Sequence, residues 1–278
     1  MMREPSSSPP WPVLVRERTS FRRRVMSRAS CTPTIARPNC SATGLPGCAR
    51  YRGSPMRVLA IGGAGKVGTL IRPALEAAHE LRIFDRRPVD GMDGRCIVGD
   101  VDDEAAVRAA VRDVDAVIYL AMGSRTANVD DSFGVNTKGL YRVMRAAIKA
   151  GVRRFVYASS LSIYREPIDY FVDEQVDPNG WSTYAVSKML GESICEAAAI
   201  QAPDAKIVVL RLIRPATDQE IAEGRWPIHI TSGDLSRLVL AALELSKPGV
   251  HRIQASSTGN ENLPNTRAEE VLGWKPGA

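Results

Sequence analysis

The sequence predicts an α/β fold, a doubly wound parallel sheet with a small C-terminal lobe, on three observations. Short apolar runs alternate with stretches of helical periodicity from Val58 to Leu210. The first run, Val58-Leu-Ala-Ile61, closes on a glycine-rich turn, Gly62-Gly-Ala-Gly-Lys-Val-Gly68. The second, Leu81-Arg-Ile-Phe84, ends on an acid, Asp85, 23 residues after Gly62. Such runs are too short for helices and are bounded by glycine, as in strands buried on both faces. Regular alternation of strand and helix implies parallel pairing through crossover helices.

The glycines explain themselves physically. At the G-x-x-G-x-x-G spacing they let the chain turn tightly after a strand, bring bare backbone against a pyrophosphate and pack the next helix close to the sheet. The helix that follows, Lys66 to Ala78, offers its N-terminal N–H groups and the positive end of its dipole to phosphate. Gly62, Gly65, Lys66, Val67 and Gly68 are thus the candidate phosphate cradle of a Rossmann-type dinucleotide site. Asp85 suits ribose hydroxyls and repels a 2′-phosphate, so NAD is the expected cofactor. Arg86 and Arg87 follow directly and could embrace a 2′-phosphate, which leaves NADP open.

The remaining elements fall in order. Cys96–Val98 reads as a third strand ending at Gly99-Asp100-Val101, Ala105–Val111 as a helix and Ala116–Leu120 as a fourth strand. Gly139–Ala150 is an amphipathic helix with Leu140, Val143, Met144, Ala147 and Ile148 inward, and Phe155–Tyr157 is a fifth strand. Tyr184–Ala199 is another helix and Ile207–Leu210 a sixth strand. Ligands of such sheets sit beyond the carboxyl ends of the strands, which singles out Asp85, Asp100, Leu120-Ala121-Met122, Ser159-Ser160 and the segment after Leu210. Asp100 reads equally well as a helix N-cap. Residues of about 213–233 and 250–278 are assigned to the reduced lobe, and 56–278 to one domain.

Composition narrows the function. Hydrophobic content of 44% and charged content of 24% suit a globular protein, and no apolar run approaches the length of a membrane span. The net charge of +6 is uneven. Residues 1–55 hold ten Arg and two acids, a balance of +8, and the other 223 residues hold 27 basic and 29 acidic groups, a balance of −2. The basic total belongs to a leader rich in Arg, Ser and Pro, which reads as disordered, as a transit-like segment or as an over-extended start before Met56. Without it nothing favours nucleic acid, and a cytoplasmic location is expected. Cys31, Cys40 and Cys48 have no ligand-like His near them, so no metal site is expected.

Chemistry enters with Tyr184-Ala-Val-Ser-Lys188. Four residues apart on a helix, the phenol and the ammonium share a face. A neighbouring cation favours the ionised phenol, so the pair suits general acid–base work near neutrality. The pair lies 24 residues after Ser160, at a strand end.

Together these residues resemble the extended short-chain dehydrogenase/reductases, also called the NAD-dependent epimerase/dehydratase family, over about residues 56–275. The resemblance rests on Gly62–Gly68, Asp85, Gly99-Asp100-Val101, Tyr119-Leu-Ala121, Asn136-x-x-Gly139, Phe155–Ser160 with Ile163-Tyr164, Tyr184-x-x-x-Lys188, Arg211-x-x-x-Pro215 and Leu272-Gly-Trp-Lys-Pro276. It implies that Ser160 hydrogen-bonds the reacting oxygen, Tyr184 transfers its proton, Lys188 assists Tyr184 and holds the ribose, and Asn136 supports the site. Asn136 as a helix cap is the plainer alternative. It further implies that Asp100 and Val101 flank the adenine, that Leu120, Ala121 and Met122 line the cofactor, that Ile213 and Pro215 lie near the nicotinamide, and that the chain forms a homodimer.

Only about 18 residues separate Pro215 from the next helix, a shorter insert than nucleotide-sugar enzymes of the family carry. The short C-terminal part, Arg225 and the Leu-Gly-Trp-Lys-Pro ending give a loose likeness to the uronate dehydrogenases, although Leu161-Ser162 stands where that subgroup has Asn-His. Arg214 and Arg225 could each bind a carboxylate or phosphate, and Ser162 joins them as a tentative substrate residue. The expectation is an NAD(P)-dependent oxidoreductase acting on a secondary alcohol or carbonyl of a sugar or sugar acid. An epimerase or dehydratase, and a non-catalytic dinucleotide sensor or scaffold, are the rivals.

Overall fold

β1 (Arg57–Ile61) lies inside the sheet, paired on both sides, which is why its residues form a continuous apolar run. The computed structural model describes residues 54–123, 128–166, 168, 170–259 and 261–277, all within one compact unit, Leu45–Ala278. The basic leader up to residue 53, with Cys31, Cys40 and Cys48, lies outside the described residues.

From β1 the chain runs through α1 (Lys66–Ala78), β2 (Glu80–Asp85), β3 (Cys96–Val98), α2 (Glu104–Ala110), β4 (Ala116–Tyr119) and α3 (Val129–Phe133). A π turn, Gly134–Gly139, leads into α4 (Leu140–Lys149), then β5 (Arg154–Ser160) and a 3-10 turn, Leu161–Ile163. α5 (Thr183–Gln201) and β6 (Lys206–Leu212) follow, then β7 (Pro215–Ala216), α6 (Asp218–Ala222), β8 (Ile230–Thr231), α7 (Ser232–Glu244), β9 (Gly249–Ala255) and α8 (Thr266–Leu272). Seven strands form one sheet in the order β3-β2-β1-β4-β5-β6-β9, every pair parallel. β7 and β8 form a separate two-stranded ladder.

Strand alternation sends Val58 and Ala60 to one face and Leu59 and Ile61 to the other. The first face packs on α1, α7 and α8 through Ile71, Leu75, Leu238 and Ala268, with Trp274 just beyond α8. The second packs on α2, α4 and α5 through Val107, Val143, Met144 and Cys195. Truncating a strand residue buried this deeply, such as Ile118, costs about 2–5 kcal/mol. A third, smaller cluster gathers Leu161, Ile163, Tyr164, Val172, Ile213 and Leu263.

Two sequence expectations are corrected. Residues 250–278 are not wholly lobe: Gly249–Ala255 is the seventh strand, in register with β6 from Lys206 to Leu212. His251, Arg252 and Gln254 interrupt its apolar run because it forms an edge. Two of its outward backbone groups are taken by side chains: Glu174 Oε1 accepts from Gln254 N at 2.7 Å, and Arg267 Nε donates to Arg252 O at 2.9 Å. Asp100 does not cap a helix either. Asp103 is the N-cap of α2, accepting from Ala105 N and Ala106 N, while Asp100 Oδ1 accepts from Asp102 N within the preceding turn.

The end of α1 carries a pH-sensitive residue. His79 is 6% exposed and its Nδ1 accepts from Met56 N at 3.3 Å, which requires that nitrogen to be unprotonated. Burial lowers its pKa to about 4, whereas an unfolded chain holds His near about 6.5. The unfolded state therefore takes up the proton first as pH falls, so the stabilisation is complete above about 6.5 and is lost between there and 4. At pH 5 the loss from this residue is about 2 kcal/mol. Urea denaturation at pH 7 and pH 5 should show that difference in the native chain, and His79→Gln should abolish it.

Candidate functional site

Because all seven strands are parallel, the residues expected at their carboxyl ends converge on one edge. β1 ends in the glycine turn. Gly62 has φ of +80°, and a Cβ there would lie 2.4 Å from Ala121 N, so the turn can approach the end of β4 only as glycine. A Cβ on Gly68 would lie 2.2 Å from Gly63 O, so α1 closes on the turn for the same reason. Gly65 is the N-cap of α1 and supplies no side-chain cap, which leaves the first-turn N–H groups for an anion. A bare glycine turn leading into a helix N-terminus that lacks a side-chain cap fits a dinucleotide pyrophosphate.

Asp85 ends β2 beside the turn. Its Oδ2 accepts from Ala64 N at 2.9 Å and its Oδ1 from Arg87 N at 3.1 Å. Arg87 also donates to Ala64 O at 2.9 Å, and with Arg72 it lines a cavity of about 260 Å³ beside the turn. Arg86 is exposed. Asp100 and the buried Val101 follow β3, and Leu120, Ala121 and the exposed Met122 follow β4.

Asn136 is fully buried inside the π turn, not at a helix end. Its Oδ1 accepts from Gly123 N at 3.2 Å and its Nδ2 donates to Ser187 Oγ at 2.8 Å, which in turn donates to Tyr184 O at 2.8 Å. One amide thus ties the segment after β4 to the helix that carries Tyr184. The alternative reading of Asn136 as a helix cap is set aside by its place inside the π turn.

α5 begins at the N-cap Ser182, whose hydroxyl accepts from Ala185 N, and places Tyr184 and Lys188 one turn apart. Lys188 is 2% exposed; its Nζ donates to Ala158 O at 2.7 Å and lies 5.8 Å from the Tyr184 ring centre and 5.0 Å from that of Tyr157. The two phenols differ in surroundings. Burial pushes the Tyr157 hydroxyl well above its ordinary range, so it stays protonated beside the ammonium. Tyr184, at 8% exposed, is the phenol beside Lys188 that borders the site. Ser160 ends β5, and its Oγ accepts from Ser162 N at 3.1 Å, which leaves its O–H to donate.

At the end of β6, Ile213 is buried and Pro215 opens β7. Arg214 between them has φ of +34°, a left-handed conformation that strains a side chain with a Cβ. Its guanidinium lies 5.0 Å from the Trp226 ring centre. Arg225 is engaged by acids of its own loop, at 3.5 Å from Glu220 Oε1 and 3.0 Å from Glu223 Oε2. Glu220 also takes Lys66 Nζ at 2.6 Å, so the expected phosphate-cradle lysine is bonded across to α6. The Lys66 ammonium and the Thr217 N–H hold the Glu220 carboxyl down at about 2. Sequence reasoning missed Glu220 and Trp226, although Thr217-x-x-Glu220 has the capping-box spacing that the structure forms. Among the described residues no cluster suits a metal ion, and no helix is long and apolar enough to cross a membrane.

Residues 58–244 match the family described as NAD dependent epimerase/dehydratase. A uronate dehydrogenase of Pseudomonas putida is 34% identical over 50% of this chain and 53% of its own length, so the chain spans about half of that relative. An NAD-dependent glucose-6-phosphate dehydrogenase of Haloferax volcanii is 29% identical over 79% of this chain and 92% of its own length. Among solved structures, a glucuronic acid dehydrogenase from Chromohalobacter salexigens has a TM-score of 0.69 at 28% identity, covering 80% of this chain and 84% of that one.

Proposed function

Since the chain belongs to the NAD dependent epimerase/dehydratase family, we propose that it is an NAD-dependent dehydrogenase that oxidises a ring hydroxyl of a sugar or sugar acid. The observation that carries the reading is Lys188, buried and anchored to Ala158 O, with its ammonium beside Tyr184 and one strand end from Ser160. A relative that acts on uronate and one that acts on glucose 6-phosphate support the substrate class.

The Gly62–Gly68 turn and Asp85 are the residues that would hold NAD, by its pyrophosphate and adenosine ribose, and the bound cofactor would supply the hydride acceptor. The chain does the rest. Ser160 donates its hydroxyl hydrogen to the substrate oxygen and fixes its direction. Tyr184 accepts the proton that leaves this oxygen as the carbonyl forms, and Lys188 offsets the charge of the phenolate that must be present beforehand. Asn136 keeps the helix of Tyr184 and the segment after β4 at fixed separation. Arg214, held over Trp226, is a cation offered to an acidic substrate group, whereas Arg225 is engaged by Glu220 and Glu223.

The test is a purified chain of residues 56–278, first denatured to identify any released nucleotide by mass spectrometry. It is then assayed with NAD against D-glucuronate, D-galacturonate, D-glucose 6-phosphate and L-arabinose. The expected result is a protein that takes up NAD reversibly and reduces it with at least one of these. Near-stoichiometric NAD that stays bound, with no net reduction, would move the assignment to an epimerase. Failure to bind any dinucleotide would refute both.

A further inference from the structure

Four buried polar side chains and one half-buried guanidinium that the proposed reaction does not use meet behind the catalytic helix. Glu192 lies one turn beyond Lys188 on α5 and is 4% exposed. Its Oε1 accepts from Ser159 Oγ at 2.7 Å and from Arg211 Nε at 3.1 Å. Its Oε2 accepts from Arg211 Nη2 at 2.9 Å and from Arg252 Nε at 3.2 Å. Arg211 Nη1 continues to the Tyr164 hydroxyl, just past the turn that begins after Ser160. One carboxylate thus reaches β5, β6, β9 and that turn from α5. Desolvating such a cluster absorbs most of what its ion pairs return, so its worth lies in what it fixes.

We propose that Glu192 is a positioning residue for the catalytic set, holding the Ser160 end of β5 and the exit of β6 against the face of α5 that bears Tyr184 and Lys188. This rests on the reaction proposed above for those side chains. Consecutive turns of α5 grip consecutive residues of β5: Lys188 Nζ bonds Ala158 O and Glu192 bonds Ser159 Oγ, and the next residue is Ser160. With two grips the strand end can neither slide along the helix nor roll against it. Arg211, the register partner of Ser159, adds β6 to the same grip three residues before Arg214. Displacements of about 1 Å at reacting groups cost up to about a hundredfold in rate, and one lost grip allows movement on that scale.

The test compares the native chain with Ser159→Ala, Ser159→Thr, Glu192→Gln and Tyr184→Phe. The readouts are kcat and KM on the sugar that the native chain oxidises in the panel above, the NAD dissociation constant, and Tm. Ser159→Ala removes one hydroxyl and leaves both charges paired, so it folds even if Glu192→Gln does not. It should lower kcat about tenfold with KM and NAD affinity within about twofold, and Ser159→Thr should recover at least about half. Glu192→Gln, where folded, should lose more than Ser159→Ala. Unchanged kcat in Ser159→Ala, or a loss of Tm alone, would overturn the proposal while leaving the reaction intact. A native chain inactive on the whole panel, or turnover that survives in Tyr184→Phe, would overturn the reading beneath it.

Discussion

Tyr184→Phe lowers kcat about a thousandfold and changes NAD affinity less than about threefold. General acid–base groups contribute about 10²–10⁴ in rate, and three decades equal about 4 kcal/mol of barrier. The substitution is clean because the ring stays. Tyr184 is 8% exposed, and its ring keeps its place beside the Lys188 ammonium at 5.8 Å. The helix start is untouched, since Ser182 caps it and Ser187 holds the Tyr184 carbonyl. The glycine cradle and Asp85 lie on other strands, so dinucleotide binding persists. Steady-state kinetics with a calorimetric NAD titration decides it. More than about a tenth of native turnover would show that another group takes the proton.

Arg211→Ala destabilises the fold by about 3–5 kcal/mol, the cost of stranding one partner of a buried ion pair. The Arg211 and Glu192 side chains are 2% and 5% exposed, so water cannot take over the broken bonds. Arg252 remains on Glu192 but is 35% exposed and bonds only Oε2. The Tyr164 hydroxyl, pushed up to about 12 by burial, loses its charged donor as well. Urea denaturation gives the measurement. Arg211→Lys should fall between native and Ala, because an ammonium restores charge without the fork that spans both carboxylate oxygens. A loss below about 1 kcal/mol for Arg211→Ala would mean that the cluster is hydrated in solution.

What could be read from the sequence was chemistry confined to a few neighbouring residues. Gly62 and Gly68 are dictated by contacts that no other residue survives, and Tyr184 and Lys188 by helical spacing, so both show in the letters alone. Lys66 and Glu220 are 154 positions apart, and no local pattern announces their bond. Arg225 looked available because its partners Glu220 and Glu223, on and beside a five-residue helix, carry no signal of this pairing in the sequence. β9 escaped because an edge strand mixes polar with apolar residues, unlike the runs of β1 and β6. Asp103 was passed over for Asp100 because both stand where a cap could stand, and only backbone direction separates them. Glu192 carried no signal beyond its place four residues after Lys188.

The covered edge of β9 bears on how this protein behaves at high concentration. A bare strand edge is a template for another chain, and aggregation often begins there. Here the carboxylate of Glu174 already takes the N–H of Gln254 and the guanidinium of Arg267 the carbonyl of Arg252. The opposite edge, β3, is only three residues long and gives an incoming strand little to grip. An incoming strand thus finds two bonding groups of β9 already taken and only three residues on β3, so growth from the folded sheet edge should contribute less to storage losses than global unfolding.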